Sequence, residues 1–339
     1  MTWFQRLTGI DEESPSQVRD QLTVDGNCLV CPSGKRIAFG RLETARLSEL
    51  RRTVAAMEIQ PSRSTLREVV ADVRVLHTDA ANAGALFQVA SQFNLLEMTG
   101  PSVTPERGVG IYENDPTQGP ACAIACGAGT IYRNYFADVD GQVGQTAQRQ
   151  IDCSADLGRE LGNTDQRLWE MENGYLFPTD HGLTEIAERI RNSSATERES
   201  LLGELRIGLQ FDAEVTLDGA GHHVSQAYCS ALPVAYGRQS TEQWTDFAKL
   251  ILDAAYEATL AAVVTNAAQT GSRVVFLTLL GGGVFGNRDQ WIMDAIERAF
   301  VKHIHHGLDV RIVSHDQSKP AVAELVSRLG VTRSTTAPS

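Results

Sequence analysis

One stretch near the carboxyl end restricts the fold more than any other: SRVVFLTLLGGGVFGN, then RDQWIMDAIERAFVKHI, then LDVRIVSHD. The first and last read as strands and the middle as a helix, an order that predicts a parallel pair joined by a right-handed crossover. VVFLTLL is apolar without alternation, as in a central strand buried on both faces. Such a strand needs helices above and below it, so the expected fold class is α/β. TEQWTDFAKLILDAAYEATLAAVVTNAAQTG supplies one cover: Phe247, Ile251, Ala254 and Ala258 recur at helical spacing, and Gly271 ends the helix.

The sheet pattern extends backwards along the chain. ADVRVLHTD and GALFQVASQFN read as strands with polar ends. EMTGPSVTPERGVGIYENDPTQGP is too rich in Gly and Pro for regular structure. ACAIACGAGTIYRNYF then reads as a helix packed through small residues, with Pro120 in its first turn. Over 137–206 the pattern weakens into polar turns and charged helical pieces such as HGLTEIAERIRN, before RIGLQFDAEVTL and HHVSQAYCSALPVAYG return to strand. Short strands and a helix are expected over 21–57. The resulting organisation is an N-terminal extension (1–65), a main domain (66–327) with an insertion at about 137–206, and a disordered tail (328–339) ending TRSTTAPS.

Composition narrows the partners. The formal net charge of -12 gives no electrostatic case for nucleic acid or an anionic membrane surface. Any anionic ligand has to be held by local dipoles against that background. The opening MTWFQRLTGIDEESPSQ has no apolar signal core, no run is long enough to span a bilayer, and a cytoplasmic setting is expected. Among the 6 cysteines, Cys28 and Cys31 form a lone C-x-x-C with no second pair, which favours ordinary thiols over metal or redox chemistry. His303, His305 and His306 end a helix, where imidazolium suits the dipole, so no metal is expected there. His222 and His223 carry no stronger case.

The glycines of LLGGGVFGN lie where ligands collect in an open α/β sheet, at the carboxyl end of a strand and ahead of a helix. Gly281, Gly282, Gly283 and Gly286 let backbone N–H groups approach an anion, and a helix N-terminus adds its dipole. No lysine is present, so this is not a P-loop. Gly281, Gly283 and Gly286 fit G-x-G-x-x-G, but a nicotinamide-binding fold places that motif after its first strand. Two strand ends add polar groups: Thr78 and Asp79, then Ser91, Gln92 and Asn94. An aspartate can accept from an exocyclic amine, and an amide can both donate and accept. Capping of local backbone would explain each of them equally well.

Taken together, HTDAAN, VASQFN and GGGVFGN resemble the macrodomain signatures GDI, NAAN and the GVYG-like loop, and the poly(ADP-ribose) glycohydrolase branch in particular. The resemblance spans roughly 66–316, departs in VASQFN, and has YENDPTQGP where the family carries a triple glycine. It implies a three-layer α/β/α mixed sheet and an ADP-ribose or ADP-ribosylated-protein partner, with no cofactor. Asp79 would meet the adenine, Asn94 the distal ribose, and Gly282 to Gly286 the pyrophosphate, with Phe285 beside a ribose or base. Gln92, Val284 and Asn287 would flank these groups, and Gly119 opens the helix that faces the pyrophosphate from the other side. Hydrolysis at the anomeric carbon needs a carboxylate. Without the family's Q-E-E, the candidates are Asp115 and Glu113, with Gln118 to orient water and Glu97 and Glu106 less well placed. Alternatives are a non-catalytic ADP-ribose reader and, further off, an NAD-dependent oxidoreductase.

Overall fold

Strands apolar on both sides must be covered on both sides, and the architecture follows from that demand. The computed structural model describes residues 1–330. Helices α1 (Trp3–Thr8) and α2 (Pro15–Gln21) precede a small antiparallel sheet of β1 (Thr23–Asp25), β2 (Cys28–Val30) and β3 (Arg36–Ala38). Then come β4 (Arg41–Arg46), α3 (Leu47–Ala55), β5 (Thr65–Val70), α4 (Val73–Thr78) and β6 (Leu86–Ala90). After a long loop follow α5 (Gln118–Ala125) and α6 (Gly127–Tyr135). The expected insertion contains the hairpins β7 (Asp138–Val139) with β8 (Gln142–Val143) and β9 (Trp169–Glu172) with β10 (Tyr175–Pro178), plus α7 (Ala155–Leu161), α8 (Asp180–Asn192) and α9 (Ala195–Gly203). The chain closes with β11 (Arg206–Glu214), β12 (His223–Cys229), α10 (Thr241–Thr270), β13 (Val274–Leu277), α11 (Asp289–Lys302), β14 (Asp309–Ser314) and α12 (Pro320–Leu329).

Seven strands form the main sheet in the order β4-β11-β12-β6-β13-β14-β5. From β12 to β5 all pairings are parallel, including the β13–β14 pair that the sequence predicts, while β11 runs antiparallel to both its neighbours. Side chains alternate between the two faces. Gln88 and Ser225 bond Thr259 and Asn266 of α10 on one face. Phe87 stacks on His77 of α4, and Gln226 donates to the Cys122 carbonyl of α5, on the other. This is a three-layer α/β/α arrangement, with the core on both faces of β6, β12 and β13.

Three local expectations change. VRVLH is helix α4, not strand: Asp72 caps it by accepting from Arg74 N (2.8 Å), and the strand is the preceding TLREVV. ACAIACGAGTIYRNYF is two helices, broken at Cys126. α12 continues to Leu329, past the expected start of the tail, whose remainder lies outside the described residues. Within the segment read as an extension, β4 pairs with β11 as an edge of the main sheet.

Candidate functional site

The carboxyl ends of β6, β12 and β13 open into a cleft of 320 Å³, at the lower end of the range for small-molecule sites. It is not the roomiest depression. One of 580 Å³ lies between β4 and the insertion, but there Arg206 is already paired with Asp156. Strand-end location is what singles out the smaller cleft, because three parallel strands present their chain turns there.

One wall is the glycine loop. Gly281 and Gly286 adopt φ of +69° and +72°, and a Cβ on Gly281 would lie 2.4 Å from the Asn287 amide and 2.6 Å from Ala231. Asn287 pins the loop from behind, donating through Nδ2 to the Leu232 carbonyl (2.8 Å) and through its backbone N–H to the Gly281 carbonyl (2.9 Å). Gly283, Val284 and Phe285 face the cleft, and among the described residues nothing accepts from their N–H groups. A Cβ on Gly283 would meet nothing within 4 Å. The turn is therefore fixed at two glycines and open at the third, leaving free donors at the rim, as in an anion-binding nest. Beside it, the rings of Tyr175, Tyr236 and Phe285 cluster with centroids 5.5 to 5.8 Å apart, and Tyr175 comes from the insertion.

The opposite wall is the start of α5. Gly119 allows that helix to lie against β6: a Cβ there would fall 2.0 Å from the Ala90 carbonyl oxygen. Gln118 ties the two together, accepting from Ala90 N (2.9 Å) and donating to the Gln88 carbonyl (2.9 Å). Its amide is thus occupied by main chain. Among the described residues no Lys, Arg or His lines the cleft, and its acidic groups are Glu97 and Asp115.

The structure sorts the sequence-derived residues plainly. Gln92, Asp115, Gln118, Gly119, Gly281, Gly283, Val284 and Phe285 line the cleft. Asp115 lies at the rim, where it accepts from Thr117 N (2.9 Å). Gln92 is buried, bridging Met98 and the Tyr175 hydroxyl. Gly282, Gly286 and Asn287 belong to the loop behind the lining. Asn94 is buried below, donating to Gln150 (2.7 Å), so its amide does not face the cleft lining. Glu113 points the other way, accepting from Trp3 N (3.0 Å) and pairing with Arg6, which fixes the N-terminal helix. Asp79 follows α4 instead of a strand and accepts from Ala81 N (2.9 Å); the carboxylate at a strand end is Asp72. His303, read as a dipole-stabilised cation, is held neutral instead, since burial pushes it down to about 4.

The other acidic residue of the cleft is Glu97, which the sequence reading ranks below Asp115 and Glu113. It is 2% exposed, lines the cleft, and neither carboxylate oxygen has a hydrogen-bond partner among the described residues. Its backbone N–H donates to the Tyr112 hydroxyl (3.0 Å), which fixes the residue in place. Burial pushes the carboxyl up to about 7, against the pull of the Arg133 guanidinium, whose Nη2 is 3.5 Å from Oε1. A carboxylic acid that exchanges its proton near neutrality, placed in a cleft, has the properties of a general acid or base. The signal in the sequence was a single charge inside the apolar run NLLEM.

Neither a protein-family model nor a curated protein sequence matches the chain. Among solved structures, the chain is similar to the poly(ADP-ribose) glycohydrolase of Thermomonospora curvata, at 14% identity over 93% of this chain and 96% of that one, with a TM-score of 0.45. The glycohydrolase of Deinococcus radiodurans in complex with ADP-ribose is similar at 12% identity over 85% and 92%, with the same TM-score of 0.45.

Proposed function

We propose that the chain is a glycosidase-type hydrolase that removes ADP-ribose from modified proteins, with Glu97 as its acid–base group. The observation that carries this reading is one cleft holding both parts such a reaction needs. The glycine loop offers unpaired N–H donors suited to a pyrophosphate. Glu97, facing the same space, offers a proton that is neither locked on nor permanently lost.

In this mechanism the protonated Glu97 carboxyl gives its proton to the leaving atom on the distal ribose as the glycosidic bond breaks. Water adds to the anomeric carbon of the oxocarbenium-like state and returns a proton to the Glu97 carboxylate. The net change is addition of one water across the bond, and the enzyme ends as it began. The protonated state also helps binding, because a neutral Glu97 leaves Asp115 as the one acidic side chain facing a dianion. The aromatic cluster of Tyr175, Tyr236 and Phe285 supplies flat apolar surface for ribose or base.

Calorimetric titration with ADP-ribose, beside NAD and ADP, tests the cleft, and release of ADP-ribose from an ADP-ribosylated protein tests the chemistry. Glu97→Gln is expected to abolish turnover by a factor on the order of 10² to 10⁴ with binding retained, and Asp115→Asn to leave most of it. Tight binding with no release from any modified protein would make the chain a reader of ADP-ribose. No binding of any of the three ligands would refute the reading altogether.

A further inference from the structure

Arg133 is wholly buried, and its guanidinium is a planar cation with five N–H donors and no acceptor. Most of its donors are already engaged: Nε with the Leu95 carbonyl (2.9 Å), Nη1 with the Tyr228 hydroxyl (2.5 Å) and Nη2 with Thr130 Oγ1 (3.2 Å). The guanidinium carbon Cζ also lies over the Tyr228 ring, 3.6 Å from its centroid. The Tyr228 hydroxyl donates in turn to Gln226, which donates to the Cys122 carbonyl. These contacts hold the guanidinium from three sides. Its nearest carboxylate, Glu97, is left at 3.5 Å, inside Coulomb range and outside a good hydrogen bond.

That distance has a consequence. A full bidentate bond would keep Glu97 ionised, and no cation at all would keep it protonated. The other titratable groups around Glu97 do not compete. Tyr112 from the loop before α5, Cys122 from α5 and Tyr228 from β12 are all pushed up by burial, and Cys126 at the helix break is pushed up to about 12. All four stay neutral near pH 7. Asp115 faces the same cleft from its rim. Burial raises the Glu97 carboxyl most, and Arg133 is the charge that opposes it.

We propose that Arg133 is a positioning residue, fixed by Tyr228 just short of hydrogen bonding, whose charge keeps the Glu97 carboxyl exchangeable. The inference deepens the glycohydrolase reading and rests on it for its purpose, but its test does not need turnover. The Glu97 carboxyl band is followed by infrared spectroscopy against pH, and is identified as the signal that Glu97→Gln removes. Arg133→Met is expected to move the titration up by about one pH unit or more, and Arg133→Lys to bring it back towards wild type. Tyr228→Phe frees the guanidinium to close on Glu97 and is expected to move the titration down. Opposite shifts from two changes in one network are not produced by general loosening of the core. If Arg133→Met does not fold, Tyr228→Phe decides alone: a downward shift supports the proposal and an unchanged titration overturns it. Shifts as expected in a protein that releases no ADP-ribose would remove the glycohydrolase reading and leave the positioning role standing.

Discussion

A buried acid kept for chemistry should weaken the fold that holds it, and Glu97 allows this to be measured. Its carboxyl is raised from 4.5 to about 7. The folded protein therefore binds that proton more tightly than the unfolded chain does. Stability is fully present below pH 4.5, declines as pH rises towards 7, and is level beyond. At about 1.4 kcal/mol per pH unit, that span corresponds to about 3 kcal/mol of lost stability at pH 8. This is a net figure, since the attraction of Arg133 already opposes the burial. Glu97→Gln keeps the shape of the protonated acid and cannot ionise. It is expected to be more stable than wild type by about 3 kcal/mol at pH 8 and by about half that at pH 5.5. Urea unfolding of the two proteins at both pH values reads the difference, and titration of all other groups cancels between them. A variant that is no more stable than wild type at pH 8 would refute the reasoning: Glu97 would then be an ordinary ionised partner of Arg133, holding no proton near neutrality.

The glycine loop separates folding from binding. Gly281→Ala is expected to lower stability by about 1–3 kcal/mol, because φ is +69° and the new Cβ would strike Asn287 and Ala231. Gly283→Glu has open space around it and should leave the melting curve unchanged while abolishing ADP-ribose binding in calorimetry. Binding of ADP-ribose at pH 8 is expected to take up a fraction of a proton, approaching about one, as the dianion favours neutral Glu97. Titrations in buffers of different ionisation enthalpy measure that uptake, and Glu97→Gln should remove it.

The layered sheet was legible because its central strands announce themselves. VVFLTLL and LFQVA are apolar without alternation, and the helix between Thr241 and Gly271 is long and cleanly stopped. α4 was not legible, because VRVLH offers five residues that fit strand and helix equally well and its cap, Asp72, is decisive only once the strand TLREVV is in place. Nor could the sequence show that Gln118 spends its amide on β6 or that Glu113 belongs to the N-terminal helix, since both depend on contacts between distant segments.

The choice of carboxylate shows the deeper reason. In the sequence, Asp115 and Glu113 are candidates by position, because the resemblance implies an acid in the loop after the strand that ends at Asn94. A carboxyl group that must exchange a proton near neutrality needs burial, which disfavours its charged form. Its mark in a sequence is a lone charge where the neighbours are apolar. Glu97 in NLLEM carries such a mark, and both it and Arg133 in TIYRNYF are buried. Either alone reads as a structural ion in search of a partner. Only the fold, by bringing α6 beneath the loop after β6 and then tying Arg133 to Tyr228, shows that the partner is present and is held slightly too far away to settle the matter.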